Sequence, residues 1–263
     1  MEAATEERGI DGVLDADPEI EAMLAAGVHL GHSRSKRHPA MGQFLWGVRN
    51  NIELIDLAKT KEKLDEALHF LEDLAADHKS VLFVGTRPSA KQLVEAAALA
   101  TGYPYVTVRW IGGTLTNFKV IGKRIEELER LEHEQASGGF EKYPKRERME
   151  REKDIERLCE NFDGLRRLRK LPDALLIIDI SHDDLAVREA ARVGIPVVAL
   201  TDTNTDPRRV RYPIPANDDA RPSIAYMLER MRDAILRGQQ RASEAALQAP
   251  TEEAAPPAGS ATS

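Results

Sequence analysis

The stretch Arg109-Trp110-Ile111-Gly112-Gly113-Thr114-Leu115-Thr116-Asn117-Phe118-Lys119 connects an apolar run at residues 105–108 to a long charged segment. The apolar run is typical of a short strand, and the charged segment repeats its apolar residues at helical spacing. Two adjacent glycines permit a sharp turn and a close approach by another group. The stretch is therefore a strand-to-helix connection, the basic unit of an α/β fold.

The side chains around the two glycines allow two interpretations. In the first, the stretch contacts RNA: Arg109 and Lys119 would meet phosphates, Thr116 and Asn117 would meet sugars, and the Trp110 ring would stack on a base. In the second, Trp110 and Phe118 belong to the core, and Thr116 or Asn117 caps the following helix. A short motif alone does not decide between them.

Outward from this stretch, strand-like and helix-like patterns alternate along the chain. Strands are predicted at residues 52–57, 81–84, 105–108, 174–178 and 197–200, with a short edge strand at 212–214. Helices are predicted at residues 59–76, 90–100, 182–192 and 219–236. The alternation predicts an α/β three-layer sandwich around a mostly parallel, about five-stranded sheet with flavodoxin-like strand order.

One segment, residues 118–170, interrupts this alternation. Apolar residues repeat every three or four positions in each of its halves: Ile121, Ile125, Leu128 and Leu131, then Ile155, Leu158, Phe162, Leu165 and Leu168. Two such stripes can bury each other, so we predict an inserted antiparallel coiled-coil hairpin. The basic run at 166–170 is a second candidate basic patch.

The composition bounds the remaining possibilities. The chain has 263 residues, a net charge of -7 and one cysteine, Cys159. Because one cysteine allows no internal disulfide, a reducing, cytoplasmic location is expected. The longest apolar runs fall well below the roughly 18 residues that predict a membrane span, so no membrane partner is expected.

The charge is unevenly distributed. Residues 1–20 hold seven acids and one base, and residues 241–263 hold three acids and one base, which leaves a net charge of +1 on the rest. Local basic patches on a near-neutral body can still bind nucleic acid. We predict a disordered acidic arm at 1–18, a domain at 19–238 and a disordered tail at 239–263. The arm or the hairpin could also dock protein partners.

A second basic segment, residues 29–49, combines cations, histidines and glycines. As a loop along a phosphate backbone it would use Arg34, Lys36 and Arg37, and it could equally be a solvated basic loop. A zinc site formed by His29, His32 and His38 is a third interpretation, although it lacks cysteine partners and a recognised ligand spacing.

Catalytic and cofactor signatures are missing from the positions where this fold would carry them. The predicted strand ends offer Gly85-Thr86-Arg87, Arg109-Trp110, Asp179 and Thr201-Asp202. They form no nucleophile–base pair and no phosphate-binding glycine motif. Asp179 and Asp202 could serve acid–base chemistry or hold a metal, but carboxylates after strands also cap helices. We predict no enzyme, no cofactor and no small-molecule substrate, with a nucleotide- or flavin-binding enzyme as the alternative.

Seven runs resemble, in order, the bacterial-type second protein of the small ribosomal subunit. They are residues 23–32, 83–86, 109–119, 171–174, 194–197, 202–207 and 214–220. The resemblance covers about residues 20 to 238. It implies a non-enzymatic, ribosome-bound protein that binds ribosomal RNA at the head–body junction of the small subunit. It also implies contacts with neighbouring small-subunit proteins and a role in docking the large mRNA-binding one.

The resemblance favours the RNA interpretation of both basic segments. The expected RNA-binding residues are His29, His32, Arg34, Lys36, Arg37, Arg49, Arg109, Trp110, Thr116, Asn117 and Lys119. The chain departs from the family pattern at four positions. The family pattern has a lysine at the position of Ala40 and a glycine at the position of Asn51. It has an acid at the position of Arg211 and an arginine at the position of Pro222.

Overall fold

The computed structural model describes residues 17–248 of the chain. The helices are α1 Pro18–Ala25, α2 Leu57–Ala76, α3 Pro88–Thr101, α4 Phe118–Ala136, α5 Lys145–Phe162, α6 Asp184–Val193 and α7 Arg221–Gln248. The strands are β1 Leu30–Ser33, β2 Leu45–Arg49, β3 Ile52–Ile55, β4 Val81–Val84, β5 Tyr105–Val106, β6 Ala174–Ile177, β7 Val197–Thr201 and β8 Tyr212–Pro215. Most of the predicted acidic arm, and residues 249–263 of the predicted tail, lie outside the described residues.

Five parallel strands form the main sheet in the order β5-β4-β6-β7-β8. This is the flavodoxin-like order that the sequence predicts, because the second strand of the series lies outside the first and the others follow on the opposite side. Every residue of β4, β6 and β7 is buried. Continuous burial is expected for parallel strands that helices cover on both faces.

The two faces of the sheet bury two separate cores. Val81 and Phe83 point into one core, with residues from α2, α3 and α7. Leu82 and Val84 point into the other, with residues from α4, α5 and α6. This division follows from the alternation of side chains along a strand. The α/β sandwich that the sequence predicts is confirmed.

A small antiparallel sheet, in the order β1-β3-β2, stands beside the main one. The predicted strand at 52–57 belongs here, and the prediction that placed it with the parallel strands was wrong. Residues 29–49, predicted to be irregular, supply the two strands that pair with it. Asn50 and Asn51, with φ of 52° and 63°, form the two-residue turn between β2 and β3. Asparagine tolerates the left-handed region, which accounts for Asn51 replacing the expected glycine.

Two helices end away from their predicted limits. Helix α5 ends at Phe162, before Leu165 and Leu168 of the predicted apolar stripe, because the chain must pass β5 closely: a Cβ on Gly164 would lie 2.3 Å from the Tyr105 carbonyl oxygen. Helix α7 continues to Gln248, so residues 239–248 are helical and their assignment to the tail was wrong. Gln239 Nε2 donates to the Thr101 carbonyl at 2.9 Å, and Ala242 is buried. None of the helices between residues 17 and 248 is long and apolar enough to cross a membrane.

Candidate nucleic-acid interface

The loop between β5 and α4 closes around one carboxylate, that of Glu189 on α6. The Gly113 N–H donates to Oε1 at 2.7 Å, while the Leu115 and Thr116 N–H groups donate to Oε2 at 3.0 and 3.2 Å. The Trp110 indole and the Thr116 hydroxyl add two more hydrogen bonds, both 3.2 Å long. Gly113 has φ of 93°, a conformation that favours glycine. The loop therefore resembles an anion-binding nest that the protein's own side chain fills.

The electrostatics of Glu189 follow from these contacts. The residue is only 6% exposed, and burial raises its pKa. The hydrogen bonds from Gly113, Leu115, Thr116 and Trp110 outweigh burial, so the pKa of Glu189 lies below its ordinary value. Glu189 is an internal anion at neutral pH. The sequence interpretation missed it, although its position three residues after the buried Ala186 places it on the inner face of α6.

The loop residues divide into buried and exposed ones. Trp110 is 7% exposed and packs in the second core, which agrees with the core interpretation of that ring. The Thr116 hydroxyl is directed to Glu189. Arg109, Asn117 and Lys119 are exposed, and Asn117 makes no capping hydrogen bond although it precedes α4. The outward surface of the loop therefore carries two cations and one amide, together with the exposed residues Gly112 and Thr116.

A cleft of about 280 Å³ lies next to this loop. It is lined by Leu185, Arg188, Glu189 and Arg192. Arg188 pairs with Asp184 at 2.6 Å along the same helix. The sequence interpretation did not select these arginines, because cations on an amphipathic helix usually form only a solvated face. They place two cations beside Glu189 in the lining of this cleft.

The N-terminal basic segment exposes some of its predicted residues and engages others. Arg34 and Lys36 are exposed in a short 3-10 turn, and Arg49 is exposed at the end of β2. Arg37 lies 3.5 Å from Oε1 of Glu53, a carboxylate with no exposed surface. Because a buried carboxylate needs a counter-charge, Arg37 balances Glu53. His29 is half-buried, and burial lowers its pKa, which keeps it neutral.

His32 makes contacts that the sequence did not predict. Its Nδ1 lies 3.2 Å from Asp202 and its Nε2 3.3 Å from Asp219. One ligand atom from each of these three residues lies within 4.8 Å of the others, so they could hold a metal ion. Imidazole with two carboxylates suits zinc. The predicted set of His29, His32 and His38 is not brought together, because His38 Nδ1 instead accepts from the Ala40 N–H at 3.2 Å.

Thr203 holds the N-terminal segment against the main sheet. Its hydroxyl accepts from the His32 N–H at 2.9 Å and its carbonyl from the His38 N–H at 2.8 Å. A Cβ on Gly31 would lie 2.4 Å from Thr203 Cγ2, so only glycine permits this approach. The segment carrying Arg34 and Lys36 is therefore fixed to the carboxyl end of β7.

Ion pairs occupy the point where β4 and β6 end, which is where flavodoxin-like folds often place a ligand. Arg87 Nε lies 2.8 Å from Asp179, and the Thr86 hydroxyl donates to Asp183 at 2.7 Å. Asp179 also accepts from the Ser181 and His182 N–H groups, which lie in the turn before α6, so it orders that turn and does not cap the helix. Burial, together with the carboxylates of Asp179 and Asp202, raises the pKa of Asp218 to about 9.

The small sheet exposes an apolar surface. Leu30, Trp46, Val48 and Ile52 are each between 41% and 46% exposed. A cavity of about 250 Å³ lies among Leu30, Trp46 and Ile52 and the side chains of Ile20 and Leu24 on α1, while Val48 lies outside it. Contiguous apolar side chains on a monomer's surface commonly mark a protein interface. The sequence interpretation noted the aromatic residues of this segment without assigning Trp46 a role.

Comparison with known proteins connects this geometry to a family. The family described as "Ribosomal protein S2" matches residues 23–238. The chain belongs to the ribosomal protein S2 family. Among its relatives, small ribosomal subunit protein uS2 of Dictyoglomus thermophilum is 44% identical over 230 residues, which cover 87% of this chain and 94% of the relative. The uS2 proteins of Dictyoglomus turgidum and Thermus thermophilus are 43% and 44% identical over 230 and 217 residues, covering 87% and 82% of this chain and 94% and 85% of theirs.

Membership of the S2 family confirms the resemblance seen in the sequence. The family is structural and non-enzymatic, so the chain is a structural constituent of the small ribosomal subunit and the alternative of a nucleotide- or flavin-binding enzyme was wrong. The family also implies association with ribosomal RNA and other ribosomal proteins. The departure at Pro222 fits the structure, since proline in the first turn of α7 interrupts no helical hydrogen bond.

Proposed function

We propose that this chain binds small-subunit ribosomal RNA at the junction of head and body in the cytoplasmic ribosome, through two cationic segments. The first contains Arg34, Lys36 and Arg49, and the second contains Arg109 and Lys119. One observation carries the proposal: none of these five cations forms an ion pair with an acid among residues 17–248, and all five are exposed. Exposed cations without acidic partners are available to phosphates.

The remaining predicted RNA-binding residues have different roles in this proposal. Asn117 is exposed between the two cations of the loop and can donate to a sugar or a base. His32, Trp110 and Thr116 act within the protein, through the contacts with Asp202 and Glu189. Arg37 pairs with the buried Glu53 although its own side chain is 42% exposed, and His29 is half-buried and neutral. The RNA contacts therefore come from the outward cations and the amide.

The salt dependence of binding tests this proposal. Small subunits lacking this protein would be titrated with the wild type and with an Arg34→Glu/Lys36→Glu variant at several salt concentrations. Two lost phosphate contacts should lower the slope of log K against log salt by about 2. A Lys79→Glu/Lys91→Glu variant changes the net charge equally on other parts of the surface. Identical slopes for the two variants would contradict the proposed contact.

The hairpin prediction belongs to the same proposal. We propose that α4 and α5 pair as an inserted coiled-coil hairpin within residues 118–170 of the RNA-binding domain. Support comes from Leu128 and Ile155, which are buried in the same core. Polar contacts also join the two halves: Arg166 forms an ion pair with Glu132 at 2.6 Å, and the Cys159 thiol donates to Glu132 at 3.3 Å.

Docking of the large mRNA-binding protein is the second role we propose. The apolar surface around Trp46 supports it, because a partner could cover side chains that the domain leaves in water. Replacing Trp46 with alanine should weaken binding of that partner to reconstituted small subunits by at least about tenfold, as expected for a central aromatic residue. Leu99→Ala removes another exposed apolar side chain, on α3, and is the control. Equal binding by both variants would exclude this surface.

A further inference from the structure

We propose that Glu189 is a positioning residue for RNA binding, which holds the loop that presents Arg109, Asn117 and Lys119 to RNA. The inference rests on the proposed RNA-binding function and deepens it. Glu189 itself is buried and does not touch RNA. Its effect would pass through the loop conformation.

The contacts between Glu189 and the loop are reciprocal. Five donors from the loop converge on the two carboxylate oxygens, at 2.7 to 3.2 Å. Across residues 17–248, the carboxylate forms no ion pair with a cation, so these loop donors balance its charge. In return, the Glu189 carboxylate is the hydrogen-bond acceptor for the N–H groups of Gly113, Leu115 and Thr116. Removing the carboxylate would leave three backbone donors without a partner, which folded proteins rarely accept.

The exposed residues are attached directly to this clamped segment. Arg109 precedes Trp110, whose ring lies in the core and whose indole N–H is bound to Glu189. Asn117 follows Thr116, and Lys119 lies in the first turn of α4. If the loop rearranged after losing the Glu189 carboxylate, the distance between Arg109 and Lys119 would change. Phosphate recognition by two cations depends on their spacing, so the loop conformation should affect affinity.

The geometry also separates this role from direct anion binding. A glycine loop whose N–H groups converge on one point could cradle a phosphate of the RNA. Here the N–H groups of Gly113, Leu115 and Thr116 point inward to Glu189, and the charged and amide side chains of the loop lie on its outward surface. RNA would therefore contact the side chains of the loop, with Glu189 behind them.

The test compares full-length variants for binding to small subunits that lack this protein. Glu189→Gln keeps the shape of the side chain but replaces one acceptor oxygen with a donor. Arg109→Glu/Lys119→Glu removes the two cations directly. Ile235→Val is a destabilised control in the other core. All are measured across a range of salt concentrations at a temperature where each is folded. Hydrogen exchange of the Gly113, Leu115 and Thr116 amides reports the loop itself.

We expect Glu189→Gln to lower the salt slope by about 1 to 2 and to weaken binding by roughly tenfold, with faster exchange of the three amides. Ile235→Val should leave the slope unchanged. Added to the Arg109→Glu/Lys119→Glu background, Glu189→Gln should have little further effect, because both changes act on the same contacts. Trp110→Phe, which removes one donor and keeps an aromatic ring, should change binding in the same direction by less.

The outcomes separate the two proposals. If the wild type does not bind, or if Arg109→Glu/Lys119→Glu binds like the wild type, the proposed function of this loop fails, and the inference fails with it. If that double variant weakens binding while Glu189→Gln keeps the wild-type slope and affinity, the loop contacts RNA but Glu189 does not position it. The inference alone is then overturned.

Discussion

At the position of Gly31 there is no room for a side chain, a constraint that the sequence alone did not reveal. A Cβ at this position would lie 2.4 Å from Thr203 Cγ2 and 3.1 Å from the Glu53 carbonyl oxygen. Thr203 is fully buried and cannot move aside easily. We expect Gly31→Ala to lower the free energy of unfolding by about 1–3 kcal/mol through overpacking, as measured by urea unfolding. At Gly42 a Cβ would meet nothing within 4 Å, so Gly42→Ala should be nearly neutral. A similar loss in both variants would contradict the steric explanation.

Glu189 gives a prediction about pH at the same scale. Its folded-state pKa lies below the ordinary value of 4.5. A depressed pKa adds stability that is present above the unfolded value and is lost as the pH falls through the folded one. The stability difference between wild type and Glu189→Gln should therefore be largest near neutral pH and shrink below about pH 4.5. Urea unfolding at several pH values measures this difference. The exposed Glu156→Gln serves as the control. A difference that grew on acidification would oppose the assignment.

Some single residues could be predicted from the sequence and others could not. The core alternative for Trp110 needed only the residue type and its place after a strand. Asn51 was noted as a departure, but its left-handed φ of 63° depends on the two-residue turn. The partners of His32 lie 170 and 187 positions further along the chain, and no local pattern identifies contacts at that distance.

At the scale of elements, helix α7 exceeds the predicted domain boundary by ten residues. The composition of the last segment suggested a tail, but residues 239–249 contain no proline and several strong helix formers. Ending the chain after Gly238 should cost about 1 kcal/mol relative to ending it after Gln248, because the Gln239 hydrogen bond and the burial of Ala242 are lost. Thermal or urea unfolding of these two chains measures the loss. Equal stabilities would show that this extension contributes nothing.

The main strands were predictable because parallel strands covered on both faces are continuously apolar, as in β4 and β6. The small sheet was not predictable in the same way. Strand β1 contains Gly-His-Ser and has no alternating apolar pattern, so its pairing with β3 is set by the tertiary contacts around Thr203. The early end of α5 likewise depends on contact with β5, which a helical repeat does not record.

At the scale of the whole molecule, His32, Asp202 and Asp219 connect three parts of the chain: the N-terminal segment, the end of β7 and the approach to α7. A metal ion bound to all three would link these parts, and binding to the folded state alone stabilises it. We expect Zn²⁺ to raise the melting temperature of the wild type, and a chelator to reverse the rise. His32→Ala should remove the effect, while His69→Ala, which changes an exposed histidine on α2, should retain it. Equal shifts in the two variants would exclude this site.

The attachment of β1 to the end of β7 has a consequence for the architecture. In the flavodoxin-like arrangement, the edge formed by the carboxyl ends of the strands is where enzymes usually gain new chemistry. In this chain, hydrogen bonds to the N-terminal segment occupy part of that edge. The Asn217 N–H donates to the Val28 carbonyl, and Thr203 accepts from the His32 and His38 N–H groups. A shortened chain beginning at β4 would lose these hydrogen bonds and expose the buried Thr203 and Asn217 to water. The minimal folding unit should therefore include the N-terminal segment. A catalytic site at this edge of the same fold would first require other contacts to replace those hydrogen bonds.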